Sequence, residues 1–152
     1  MNFREGYAER KGTEPRLQDM SDVLDVRIFG VPIAQGRPRA FKTPAGQVRV
    51  YDPGNARDWK RTVLAQVLER KPPAPVEGPL EMRLVFYVPR PKSLPKRERH
   101  PTHRPDLSNM LKAVEDALTG VVYRADAQIV HLDVFKVFDA SPGVLILVRK
   151  LE

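Results

Sequence analysis

Nine of the fifteen prolines in this 152-residue chain fall in two stretches, Lys71–Pro79 and Pro89–Pro105. Proline has no N–H to donate and a locked φ, so neither stretch can be a helix interior or a central strand. Regular structure is confined to what lies outside them. In Leu80–Val88, Leu80, Met82, Leu84, Phe86 and Val88 fall on one face at every second position, which predicts a strand. In Ala56–Arg70, Trp59, Val63 and Val67 recur with Leu64 and Leu68 at helical spacing. In Asp106–Thr119, Leu107, Leu111, Val114 and Leu118 form a second helical stripe that stops at Gly120, a residue suited to follow a helix. Lys71–Pro79 is then an extended connector, and Pro89–Pro105 is long enough to suggest a functional loop.

The remaining elements follow from period and turn chemistry. Val23–Gly30 alternates as a strand, Val31–Gln47 reads as a loop or loose hairpin, and Val48–Tyr51 is a short strand. Asp52-Pro53-Gly54-Asn55 is a turn that can cap the first helix, and Gln128–Phe138 and Val144–Lys150 are closing strands. The order β, β, α, β, α, β, β predicts a single α+β domain over residues 22–152, with one mixed sheet and two helices packed on one face. Residues 1–21 carry no period and read as a flexible N-terminal arm, with Met20 an alternative start.

The chain has no cysteine, which excludes disulfides, thiolate metal sites and cysteine nucleophiles and suits a cytoplasmic protein. No apolar run is long enough for a membrane span, and the N-terminal residues lack a signal-peptide core. The net charge of +7 is unevenly spread. Arg27, Arg37, Arg39, Lys42 and Arg49 lie in a segment without acids. Arg90, Lys92, Lys96, Arg97, Arg99 and Arg104 face only Glu98 in another. Two basic segments on an otherwise slightly acidic chain suggest a phosphate-tracking surface.

The stretch from Arg104 to Gly120, with Arg124-Ala125-Asp126-Ala127-Gln128 after it, carries the chemistry. A proline loop delivers Asp106 to a helix N-terminus, and Lys112 and Asp116 are i,i+4 neighbours. The short turn 120–127 can fold Asp126 back towards that helix. Phosphodiester hydrolysis needs carboxylates to hold a divalent ion and a cation to meet charge developing on phosphate. Two aspartates and a lysine would satisfy those demands. A helix cap, a surface ion pair and a turn residue would equally account for Asp106, Lys112–Asp116 and Asp126.

The segment resembles the RusA family of Holliday-junction resolvases, whose signature runs approximately Pro-Asp-x-Asp-Asn-Leu-x-Lys-x-x-x-Asp-Ala-Leu-x-Gly and then Asp-Asp-x-Gln-Val/Ile. Pro105, Asp106, Asn109, Lys112, Asp116, Ala117, Leu118, Gly120, Asp126, Gln128 and Ile129 match in order and spacing. Val31-Pro32, Gln35-Gly36-Arg37-Pro38-Arg39 and Tyr51-Asp52-Pro53 with Trp59 look like phage-type members, so the resemblance spans about residues 23–150. It implies a homodimeric crossover junction endodeoxyribonuclease of recombination and repair, nicking four-way junction DNA symmetrically with Mg²⁺ or Mn²⁺. It implies catalytic roles for Asp106, Lys112 and Asp126, and metal positions at Asp106, Ser108, Asp126 and Asp116. Ser108 and Ala125 depart from the signature, each standing where the family has an aspartate. Ser108 offers a hydroxyl but no fixed charge. A non-catalytic DNA-binding protein is therefore a competing expectation, and a basic RNA-binding domain a remoter one. Expected DNA contacts are Arg37, Arg39, Lys42, Lys92, Lys96, Arg97, Arg99 and Arg104. His100 and His103 lack a third partner at metal-ligand spacing and read as solvated or phosphate-facing.

Overall fold

The computed structural model describes residues 20–36, 39–51 and 55–151. Residues 1–19 of the expected arm, Arg37, the side chain of Arg39 and most of the 52–55 turn lie outside the described residues. The elements are β1 (Met20–Phe29), β2 (Arg39–Lys42), β3 (Val48–Tyr51), α1 (Asn55–Val67), β4 (Leu80–Val88), α2 (Leu107–Leu118), β5 (Ile129–Phe138) and β6 (Gly143–Leu151). A single turn of 3-10 helix, Asp126–Gln128, precedes β5. The domain is α+β, as expected, with one difference: β2 and β3 pair with each other as a separate ribbon and do not join the main sheet.

The main sheet has the order β1-β6-β4-β5. β1 and β4 both run antiparallel to β6, whereas β4 and β5 are parallel and connected through the proline loop and α2. A parallel pair needs such a crossover, so α2 and the loop before it are held over the ends of β4 and β5. One sheet face carries Leu24, Val26 and Ile28 of β1, Leu80, Met82, Leu84 and Phe86 of β4, and Val144, Ile146 and Val148 of β6. Trp59, Val63 and Val67 of α1 and Met110, Val114 and Leu118 of α2 close this core. Burying each such side chain contributes about 1.5–3 kcal/mol, so packing fixes where α2 sits, whereas a helix of twelve residues has marginal stability alone.

Among the described residues, no helix lies over the opposite face. Val85 there lies between Phe135 of β5 and Leu145 of β6. β1 begins at Met20, earlier than expected, because a bulge between Asp22 and Leu24 breaks the alternation that marks a strand. α1 ends at Val67, since turn bonds from Arg70 and Lys71 to the Val67 carbonyl close it. Gly143 enters β6 where any Cβ would fall 2.0 Å from the Ile28 carbonyl oxygen, so only glycine permits that close pairing.

Candidate active site

Asp106 occupies the N-cap position of α2 with extended backbone (φ −72°, ψ 135°), yet its side chain makes no capping bond to the helix. Its carboxylate instead receives a long bond from the Asn109 amide, at 3.5 Å. An exposed aspartate that does not cap the helix it begins keeps its charge available to another ligand. Two basic residues hold the loop that delivers it. Lys136 of β5 donates to the carbonyls of His103 and Pro105, both at 2.9 Å. Arg90 donates to those of Pro95 and Glu98 while lying over the Phe138 ring.

Farther along α2, the Lys112 ammonium lies 3.2 Å from Asp116 and 3.5 Å from Asp126. Lys60 of α1 also reaches Asp116, at 3.5 Å. The hydrogen bond that Lys112 donates to Asp116, more than any other influence, raises the Lys112 pKa above that of an ordinary lysine, so the group stays a cation. Burial raises the Glu115 carboxyl pKa, and Glu115 adds to the negative field around Lys112.

Asp126 is placed by Gln128. The Gln128 side-chain oxygen accepts from the backbone N–H groups of Arg124 and Ala125, both at 2.9 Å. Its amide donates to the carbonyls of Val76 and Gly78, both at 3.0 Å. One side chain thus fastens the Asp126 turn to the first proline connector. Replacing Gln128 with alanine leaves four backbone groups without their partner and frees the turn. We expect a loss of about 1–3 kcal/mol in urea unfolding and a roughly 10–100-fold loss of apparent metal affinity, of the kind seen when a ligand loses its orienting partner. Unchanged metal dependence in the folded variant would refute that role.

The structure therefore joins Lys112, Asp116 and Asp126, and it stations Asp106 and the exposed Ser108 at the helix start. Asp106 and Asp116 are ten residues apart, about 15 Å along the helix axis, so they do not share an ion within this helix. Lys92, Lys96, Arg97, Arg99 and Arg104 are exposed on the loop leading to Asp106, and Lys42 is exposed on the β2–β3 ribbon. No salt bridge among the described residues engages any of the five loop cations.

The sequence model of the family described as endodeoxyribonuclease RusA matches residues 30–149. The chain belongs to the RusA endodeoxyribonuclease family. It is a nuclease-family domain whose substrate class is DNA. It is also 33% identical over 141 residues to the uncharacterized protein YqaN of Bacillus subtilis (strain 168), covering 86% of this chain and 99% of that one.

Within this RusA-family domain, a second polar cluster escaped sequence reading. Glu81, His131 and Asp133 bring one ligand atom each within 4.8 Å of one another on the sheet face opposite the two helices. Only the parallel β4–β5 register, which pairs Glu81 with His131 and Arg83 with Asp133, could have revealed it. Arg83 donates twice to one Glu81 oxygen, at 2.9 and 3.0 Å, and lies 3.7 Å from Asp133. A guanidinium already engages these carboxylates, so the cluster reads as a charge network. Asp106, Ser108 and Asp126 each present an exposed side-chain oxygen, the ligand type a hard cation takes, and the Lys112 ammonium stands beside Asp126. Among the described residues, no helix is long and apolar enough to cross a membrane.

Proposed function

We propose that this chain is a Mg²⁺- or Mn²⁺-dependent resolvase of four-way DNA junctions, acting as a homodimer in recombination and repair. The observation that carries the reading is the Lys112–Asp126 pair, brought together across the turn that Gln128 fastens in a RusA-family domain. Asp106 and Asp126 would hold the metal, with Ser108 binding it directly or through water. When bound, the ion would neutralise developing charge and activate water for phosphodiester hydrolysis. Lys112 meets the charge growing on the phosphate. Asp116, out of reach of an ion at Asp106, positions Lys112. The exposed loop cations Lys92, Lys96, Arg97, Arg99 and Arg104, with Lys42 and the arginines Arg37 and Arg39, track the phosphates of the arms. The sheet face opposite the two helices, with Val85, Phe135 and Leu145 in register, supports pairing with a second copy.

The deciding experiment incubates the protein with synthetic four-way junctions and Mg²⁺ or Mn²⁺ and measures its solution mass. Paired symmetric nicks and the mass of two chains are expected. Tight junction binding without nicks in either metal would instead favour a non-catalytic binder, the reading that Ser108 itself raises. Restoring the family's carboxylate with Ser108→Asp adds a charged ligand. We expect it to lower the Mg²⁺ concentration for half-maximal cleavage about tenfold; an unchanged metal requirement would place Ser108 outside the ion's reach.

A further inference from the structure

Immediately upstream of Asp106 the second proline loop, β4 and β5 enclose a cavity of about 160 Å³. Its walls include Pro89, Pro101, Pro105 and the Phe138 ring, and the exposed His103 and Arg104 belong to its lining. At roughly half the ~300 Å³ lower end of small-molecule sites, it has room for one planar ring system and not for a whole nucleotide. The cavity is pre-formed, because Lys136 ties down the carbonyls of His103 and Pro105 on its own wall.

We propose that this cavity receives one nucleobase of the junction, unstacked beside the phosphate to be cut. The inference rests on the reading of the chain as a junction nuclease. Proline and aromatic side chains in the lining suit the π-face of any base. The cationic Arg104 at the rim suits the phosphate that accompanies it. Arg104 and Pro105 directly precede Asp106, so a base held here would set the register of its backbone on the metal site. The unstacking cost is smallest at a branch point, where stacking is already interrupted.

Val31 lines the cavity and is 55% exposed, so Val31→Trp can cover it without disturbing the core. Junctions carrying 2-aminopurine at each of the two nucleotides either side of the cut phosphate are bound in EDTA, which keeps the strands intact. We expect fluorescence to rise at one position with the natural protein and not with Val31→Trp. In Mg²⁺ the variant should cut the intact junction about tenfold more slowly. Both proteins should cut a junction abasic at that position at the same rate. Binding and cleavage with no fluorescence rise at any position would overturn the base pocket alone. Loss of the dimer in Val31→Trp would assign the cavity to a side chain of a second copy. Failure to bind junctions at all would overturn both this proposal and the reading beneath it.

Discussion

Replacing Asp126 with asparagine is expected to lower single-turnover cleavage of a four-way junction about a thousandfold while leaving junction binding intact. Asparagine matches aspartate in shape, so the 3-10 turn keeps its place. The four bonds that anchor this turn belong to Gln128 and to backbone groups, none to the Asp126 side chain. What disappears is a charge beside Lys112 and a ligand for the metal. Removing one negative charge from a DNA-binding surface should leave affinity unchanged or slightly higher. Thermal unfolding should be nearly unaffected, because Asp126 is exposed and outside the core. Asp106→Asn should behave alike, since its carboxylate makes no capping bond whose loss would weaken α2. Cleavage within tenfold of the natural protein by either variant would remove that aspartate from the active site.

The second large effect concerns Lys112. We expect Lys112→Met, which retains the apolar stem, to reduce the rate at saturating metal about 10²–10³-fold. The accompanying change in metal dependence distinguishes its role. The ammonium lies 3.5 Å from Asp126 and competes there with any other cation. Its removal should therefore leave the apparent Mg²⁺ affinity equal or stronger while the rate collapses. A ligand-holding residue would show the reverse, a rate recovered by adding metal. Recovery of cleavage at high Mg²⁺ would thus contradict a role on the phosphate. Asp116→Asn should show a milder loss, because the lysine is retained and only its orientation is released.

The strand between the proline stretches and the helices that flank them are legible because each carries a clean period between firm punctuation. Leu80–Val88 was bounded correctly at both ends. The early start of β1 was hidden by its bulge. The four-residue β2, Arg-Ala-Phe-Lys, is too short and polar to show a period, although the turn residues around it are compatible with the loose hairpin that β2 and β3 form. In the candidate site, Asp106, Lys112 and Asp116 share one helix, so their spacing was readable. The residues that hold the site in shape were not. Gln128 and Lys136 act on backbone carbonyls 31 to 52 residues away, and backbone carbonyls leave no mark in a sequence. Lys136 did leave a trace, as a charged residue on the strand phase where Val134 and Phe138 face the core.

The Gln128 clamp also governs when during folding the chemistry becomes possible. Helix α2 can gather Asp106 and Lys112 from one local segment. Asp126 joins them only after Gln128 has found Val76 and Gly78, contacts that span 52 and 50 residues and lie alongside the parallel β4–β5 pairing. Such distant, parallel contacts form late, because a large loop must close before they repay its entropy. On the proposed assignment, a nascent or partly unfolded chain carries phosphate-tracking charge without an assembled cutting centre. For a domain of a nuclease family, completing the fold and arming the proposed site are then one event.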